Sequence, residues 1–196
     1  LASGTFPWSE RMLETLKTAH RKDPALRGVS GYVNAIFYPG VQAIWAHKVT
    51  HRLYRAGVPV LPVVLSHLAR TFTGVEIHPG AKIGRRFFID HGTGVVIGET
   101  AEIGNDVMLY HGVTLGGRGF WRDEKGSKRH PTLGDGVVVG VGATILGPVK
   151  IGKKSLIGAG AIVLRDVGAN SVIKAGATWN GQGGTLGFQI RQPGTY

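Results

Sequence analysis

A chain of 196 residues, 42% apolar and only 18% charged, has room for one cored domain plus a small extension and is not a candidate for disorder. Cysteine is absent, which excludes disulfides, cysteine-ligated zinc and a cysteine nucleophile. A net charge of +11, from 23 Lys+Arg against 12 Asp+Glu, leaves nucleic acid, an anionic membrane surface, an anionic small molecule, or simply a basic protein.

The basic residues are spread over the whole chain rather than gathered with aromatics on one element, so no nucleic-acid partner is expected. No run approaches the ~18 apolar residues of a membrane span, and no basic-then-apolar leader opens the sequence. No membrane partner is expected, and the cytoplasm is the expected compartment. A polyphosphate-bearing ligand such as coenzyme A needs only a few of these cations.

Residues 1–73 read as a helical region. Ser9 is placed to cap a helix from Glu10 to Lys22, with Met12, Leu13 and Leu16 on one side and Pro24 as its stop. A second helical stretch spans about 32–56, interrupted near Pro39-Gly40, with Val41, Ile44, Trp45, Val49 and Leu53 at helical spacing. Gly57 and Pro59 close it. A third, about 63–71, is apolar on most sides and is expected between its neighbour and whatever follows. Trp45 and Tyr54 are expected in the core.

From Ile77 onward an aliphatic residue returns every sixth position, at Ile83, Ile89, Ile97, Ile103, Leu109 and Leu115. It resumes at Leu133, Val139, Ile145, Ile151, Ile157 and Val163. A fixed period marks stacked repeats. Six residues suit one short strand and one tight turn, and three such sides close a triangular coil, a parallel β-helix over residues 74–167. The helical region caps one end of it. Residues 168–196, with Gly181, Gly183, Gly184, Gly187 and Pro193, depart from the period and read as an extended tail.

The period breaks twice. Ile89 to Ile97 is eight residues, so Asp90-His91-Gly92-Thr93-Gly94 lies on a side two residues too long. Leu115 to Leu133 is 18, so residues 116–132 leave the coil as a polar, charged, glycine-rich loop. Insertions in solenoids gather on the binding face. His91 is therefore the candidate base, since an imidazole accepts a proton near neutrality, and Glu76 could reach it within the coil. His111 follows Leu109 as His91 follows Ile89, and His78 and His130 add further imidazoles, each of which can equally bond a neighbouring carbonyl. Stacked histidines also admit a zinc site with hydration chemistry of the carbonic-anhydrase kind, although a third ligand is not evident and no metal is expected. Gly116-Gly117 and residues 140–142 offer backbone N–H groups to a carbonyl or a developing oxyanion.

The sequence is similar to the serine O-acetyltransferase family of hexapeptide-repeat acyltransferases. The likeness covers about residues 20–167 and rests on several runs: 74–81 (GVEIHPGA), 89–100 (IDHGTGVVIGET), 113–117 (VTLGG), 128–131 (KRHP) and 157–160 (IGAG). It implies a left-handed parallel β-helix with an N-terminal α-helical region, assembled as homotrimers with active sites between adjacent subunits. It implies transfer of acetyl from acetyl-CoA to the hydroxyl of L-serine, giving O-acetyl-L-serine for cysteine synthesis. By position, His91 matches the general base and Glu76 the carboxylate that orients it. Asp90, Arg129, His130 and Asp23 match residues around the serine, and Gly117, Val141 and Ala159 match positions whose backbone meets acetyl-CoA. Without cysteine, direct attack within a ternary complex is expected.

The helical region is shorter than in well-known bacterial members, so a hexamer of paired trimers is not implied. The last coil ends in residues 175–180 (AGATWN), not a Val-Gly-x-Pro-Ala-Arg type of ending. The chain ends in Tyr196 rather than the isoleucine that docks on a sulfhydrylase, so that complex is not expected. Acetylation of a sugar or antibiotic hydroxyl, and a non-catalytic scaffold, stay open. Against the scaffold stands the pairing of Asp90-His91 with Arg129-His130.

Overall fold

The computed structural model describes residues 8–119, 124–175 and 190–191. Four helices come first: α1 (Trp8–Lys22), α2 (Gly28–Ile36), α3 (Pro39–Arg55) and α4 (Leu61–Thr73). Ser9 lies within α1 rather than capping it. Asp23 stops α1 because the residue before a proline disfavours the helical region, and its Oδ1 accepts the Ala25 N–H (2.8 Å) in an Asx turn. The expected second helical stretch is α2 and α3, parted just before Pro39 where the interruption is expected, and it begins earlier, at Gly28. Pro39 opens α3 at a position where its missing N–H costs nothing. Gly74 closes α4 in the left-handed conformation, φ +68°, its N–H donating to Arg70 O. α4 packs on α3 and on the first strand of the solenoid, but Leu61, Val64, Leu68 and Phe72 face outward.

The six-residue period becomes three parallel sheets. The first face stacks β1 (Glu76–Ile77), β4 (Val96–Ile97), β7 (Thr114–Gly116), β10 (Thr144–Leu146) and β13 (Ile162–Val163). The second stacks β2 (Lys82–Ile83), β5 (Glu102–Ile103), β8 (Thr132–Leu133) and β11 (Lys150–Ile151). The third stacks β3 (Phe88–Ile89), β6 (Met108–Leu109), β9 (Val138–Val139), β12 (Leu156–Ile157) and β14 (Val172–Ile173). In-register pairs such as Ile77 with Ile97 and Ile97 with Leu115 put one repeat aliphatic above the next. All of them are buried except half-buried Ile83. Each fully buried side chain of this kind contributes roughly 1.5–3 kcal/mol, so the column is the main source of stability.

The coil runs past the expected boundary at 167. Val167 bridges to Ile151 on the second face, and β14 pairs with β12 on the third. The step from Val163 to Val167 is four residues instead of six, which hid this last turn from a six-residue count. β15 (Ile190–Arg191) lies antiparallel on β14, covering part of an edge that would otherwise be open. The glycine-rich positions of the expected tail from Gly181 to Gly187, and Pro193, lie outside the described residues, as do loop residues 120–123.

Candidate active site

The first face has two corners. The leading corner brings the chain in from the third face, and the trailing corner carries it on to the second. At the leading corner of the first coil the Gly92 N–H donates to Asp90 O (2.7 Å), a three-residue turn with His91 at its centre at φ +60°. Such a turn is strained for a residue with a side chain. Gly92, at φ +94°, has no alternative, because a Cβ there would meet Val75 Cγ2 at 2.8 Å. The two extra residues thus form a bulge that turns the imidazole outward, with 73% of its side chain exposed.

In the ladder the Gly112 N–H donates to Thr93 O, the Gly142 N–H to His111 O, and the Gly160 N–H to Val141 O. His111 therefore stacks on Thr93, not on His91 as a count from the strands had implied. The two imidazoles still meet edge to face, centroids 5.6 Å apart. Val141 and Ala159 continue the column below His111. A Cβ on Gly142 or Gly160 would meet nothing within 4 Å, so this column borders an open, flat strip of backbone.

The helical region completes this corner. Gly40, at the start of α3, is pressed against Ile89 O, where a Cβ would come within 2.3 Å. That contact holds α3 on β3, and Tyr38, just before α3, lies close enough to Asp90 to feel its charge. Tyr38 donates from its hydroxyl to Asp23 Oδ2 at 2.7 Å. This bond, burial, and the charges of Asp23 and Asp90 push the phenol up to about 12. Asp23, Tyr38, Asp90 and His91 thus lie together. Among the described residues neither carboxylate has a Lys or Arg within 4 Å; within that range Asp90 has only the imidazole of His91, its Nε2 at 4.0 Å. In a protein of net charge +11 that is an uncompensated negative site.

Glu76 stands apart from this group. It lies on β1, and its Oε2 receives Arg70 Nη1 of α4 at 2.9 Å. No hydrogen bond joins it to His91 among the described residues.

Arg129 and His130 sit at the trailing corner, across the first face from His91, and Gly117 also follows the first face. The expected site residues are therefore divided between two corners of one chain. His130 is buried over Gly98, and its Nδ1 faces the Thr100 N–H (3.1 Å) and Thr100 Oγ1 (2.9 Å). A backbone N–H can only donate, so in the neutral ring the proton is on Nε2. Arg129 Nη2 donates to Glu99 Oε2 at 2.6 Å, and Tyr54 reaches the other oxygen of Glu99 at 3.3 Å. Lys128 Nζ donates to the carbonyls of Thr100 (2.5 Å), His130 (2.7 Å) and Pro131 (3.3 Å), fastening the end of the loop to the coil. Tyr54 is not in the core as expected; it stands edge-on to His78, 5.9 Å between centroids, at the rim of this cluster. Trp45 is partly buried against the core beneath α1, donating to Met12 O.

Tyr38, Lys128 and Glu99 are given no role by the sequence; each makes a contact distant in the chain, with Asp23, Thr100 and Arg129 respectively. Among the described residues no three His, Asp or Glu side chains converge as a metal site, so the hydration alternative lacks a ligand set there. No helix among them is long and apolar enough to cross a membrane.

Residues 130–165 match the family described as bacterial transferase hexapeptide (six repeats). The chain is 51% identical over 159 residues to a serine acetyltransferase of Mycobacterium tuberculosis, covering 81% of this chain and 66% of the relative. It is 53% identical over 158 residues to that of Bacillus subtilis, covering 80% and 70%. It thus spans about two thirds of the length of these curated relatives. Among solved structures, a Neisseria gonorrhoeae serine acetyltransferase in complex with serine has a TM-score of 0.76 at 39% identity, covering 84% of this chain and 65% of that one. One from Brucella abortus in complex with coenzyme A has a TM-score of 0.79 at 33% identity, covering 93% and 67%. The solenoid's hand, which the period leaves open, is the left hand of these relatives. Repeat, fold and sequence agree, and the chain belongs to the serine acetyltransferase family.

Proposed function

We propose that the protein is a serine O-acetyltransferase, passing acetyl from acetyl-CoA to the hydroxyl of L-serine to give O-acetyl-L-serine for cysteine synthesis in the cytoplasm. The observation that carries this reading is the leading corner: an outward imidazole on a strained bulge beside two carboxylates with no lysine or arginine within 4 Å among the described residues. Asp90 and Asp23 fit the ammonium of an amino acid, and His91 the hydroxyl to be activated. His91 removes the hydroxyl proton as the oxygen attacks the thioester carbonyl. A carbon–oxygen bond forms, the tetrahedral intermediate collapses, the carbon–sulfur bond breaks, and the proton on the imidazole passes to the departing thiolate. No cysteine exists to carry an acyl group, so transfer is direct.

Arg129 suits a carboxylate, yet Arg129 and His130 flank the far corner of the same face. A homotrimer, in which the leading corner of one subunit meets the trailing corner of the next, would unite base and carboxylate clamp. Val141, Ala159 and Gly117 would then border the acetyl-CoA from both sides; that relatives were solved with serine and with coenzyme A supports these two substrates. Glu76, held by Arg70 in the single chain, is proposed to orient the imidazole once the subunits assemble.

A second reading, a sugar or antibiotic hydroxyl as acceptor, shares the base; a neutral sugar leaves Asp23 and Asp90 without purpose, whereas the ammonium groups of an aminoglycoside would meet them. Thiol release from acetyl-CoA, followed across L-serine, sugar alcohols and aminoglycosides, separates the two. Turnover with L-serine alone is expected; turnover with sugars and none with serine would overturn the proposal.

A further inference from the structure

We propose that Tyr38 is a positioning residue for amine recognition: its hydroxyl locks the Asp23 carboxylate in the orientation in which Asp23 and Asp90 together receive the acceptor's ammonium group. This rests on the amino-acid acceptor assigned above. Asp23 hangs from the end of α1 on a short, exposed turn, and two contacts hold its carboxylate, one per oxygen. The Ala25 N–H occupies Oδ1 and the Tyr38 hydroxyl Oδ2. Tyr38 itself has little freedom. Its N–H donates to Ala35 O (3.2 Å), and its carbonyl accepts the Gln42 N–H (3.0 Å) of α3. Its ring packs against the buried cluster of Ala19, Leu26, Ala35, Val41 and Phe88. Phe88 lies two residues before Asp90, so one apolar cluster ties the phenol to the strand that leads into the second carboxylate.

The chemistry favours a donor without charge at this point. Two neighbouring carboxylates repel, and a lysine or arginine between them would neutralise the site and bar an ammonium ligand. A phenol steadies Asp23 and leaves the negative charge to be met by the substrate. Because both carboxylates disfavour tyrosinate, the hydroxyl stays a donor across the working pH range and cannot serve as a base.

The test is Tyr38→Phe, which keeps the ring and its packing. The KM for L-serine is expected to rise roughly tenfold, as for loss of a hydrogen bond to a charged group. The kcat and the KM for acetyl-CoA should stay within about twofold. The same rise is expected for ethanolamine, which keeps the ammonium, and none for 3-hydroxypropionate binding measured by calorimetry. Ultraviolet titration gives a readout free of any acceptor: Asp23→Asn should lower the highest phenol pKa toward the ordinary value.

An unchanged serine KM in Tyr38→Phe overturns the assignment of Tyr38 while leaving serine as acceptor. So does a joint loss in all constants together with a lowered Tm, which marks mere packing. Tyr38-dependent turnover of ethanolamine with none of serine keeps the assignment and removes serine. If neither amine-bearing alcohol binds or reacts, both proposals fall.

Discussion

The two corners of the first face solve opposite problems. The trailing corner is satisfied from within: Glu99 holds Arg129, Thr100 holds His130, and three carbonyls hold Lys128. The leading corner is left short of partners. His91 stands exposed on a strained turn, and among the described residues no lysine or arginine lies within 4 Å of Asp23 or Asp90. A satisfied cluster makes a rigid wall, while an unsatisfied one makes a demand on whatever binds. An active site assembled from one of each would combine a preformed carboxylate clamp with a base awaiting its substrate.

The sharpest way to break this contrast is at the base. His91→Ala should lower turnover by at least roughly 10² while acetyl-CoA still binds by calorimetry; unchanged turnover removes His91 from its role. Next comes the division between subunits. His91→Ala and Arg129→Ala should each be nearly inactive alone. Dissociated and reassembled together, they should regain about a quarter of wild-type activity, because a heterologous interface then joins one intact corner of each kind. No recovery would mean that both corners serve from the same chain.

At the trailing corner, Lys128→Met should loosen the loop end without touching the base. We expect the serine KM to rise roughly three- to tenfold with kcat nearly kept, as for loss of charge-assisted hydrogen bonds. A fall in kcat at constant KM would contradict the wall-like role.

The smallest effect concerns the floor beneath both corners. His47 of α3 is buried with its Nδ1 unpartnered, and burial, then the neighbouring His51, depress it to about 3. Its folded pKa lies below the unfolded value near 6.5, so the unfolded chain takes up the proton first. The stability due to neutral His47 is complete above about pH 6.5 and is lost as pH falls from there toward 3. Scanning calorimetry should show Tm falling more steeply through that window in the wild type than in His47→Gln. Parallel curves would discard the assignment.

Much of this was legible in the chain. The repeat aliphatics from Ile77 to Val163 named the inward column in advance, because a strand of two residues leaves no choice about which side chain points in. The eight-residue side marked His91 because only an outward bulge can absorb two surplus residues in a stacked coil. What escaped depended on partners far away. Glu76 could be placed beside the histidine on paper, but α4 brings Arg70 to it first. Tyr54 read as core because helical spacing says nothing about Glu99, 45 residues on. The turn ending in Val167 hid behind a side shortened to four residues.

Periodic burial from Ile77 to Val163 determined the stacked three-sided coil unaided, though not its hand, since each six-residue side sees only its neighbours above and below, and local rules add up. The site is another matter. Which carboxylate meets Tyr38 and which meets Arg70 were decided only when the helical region settled on the first coil. Hydrogen bonds and charges act over a few ångströms in space, whatever the separation in sequence.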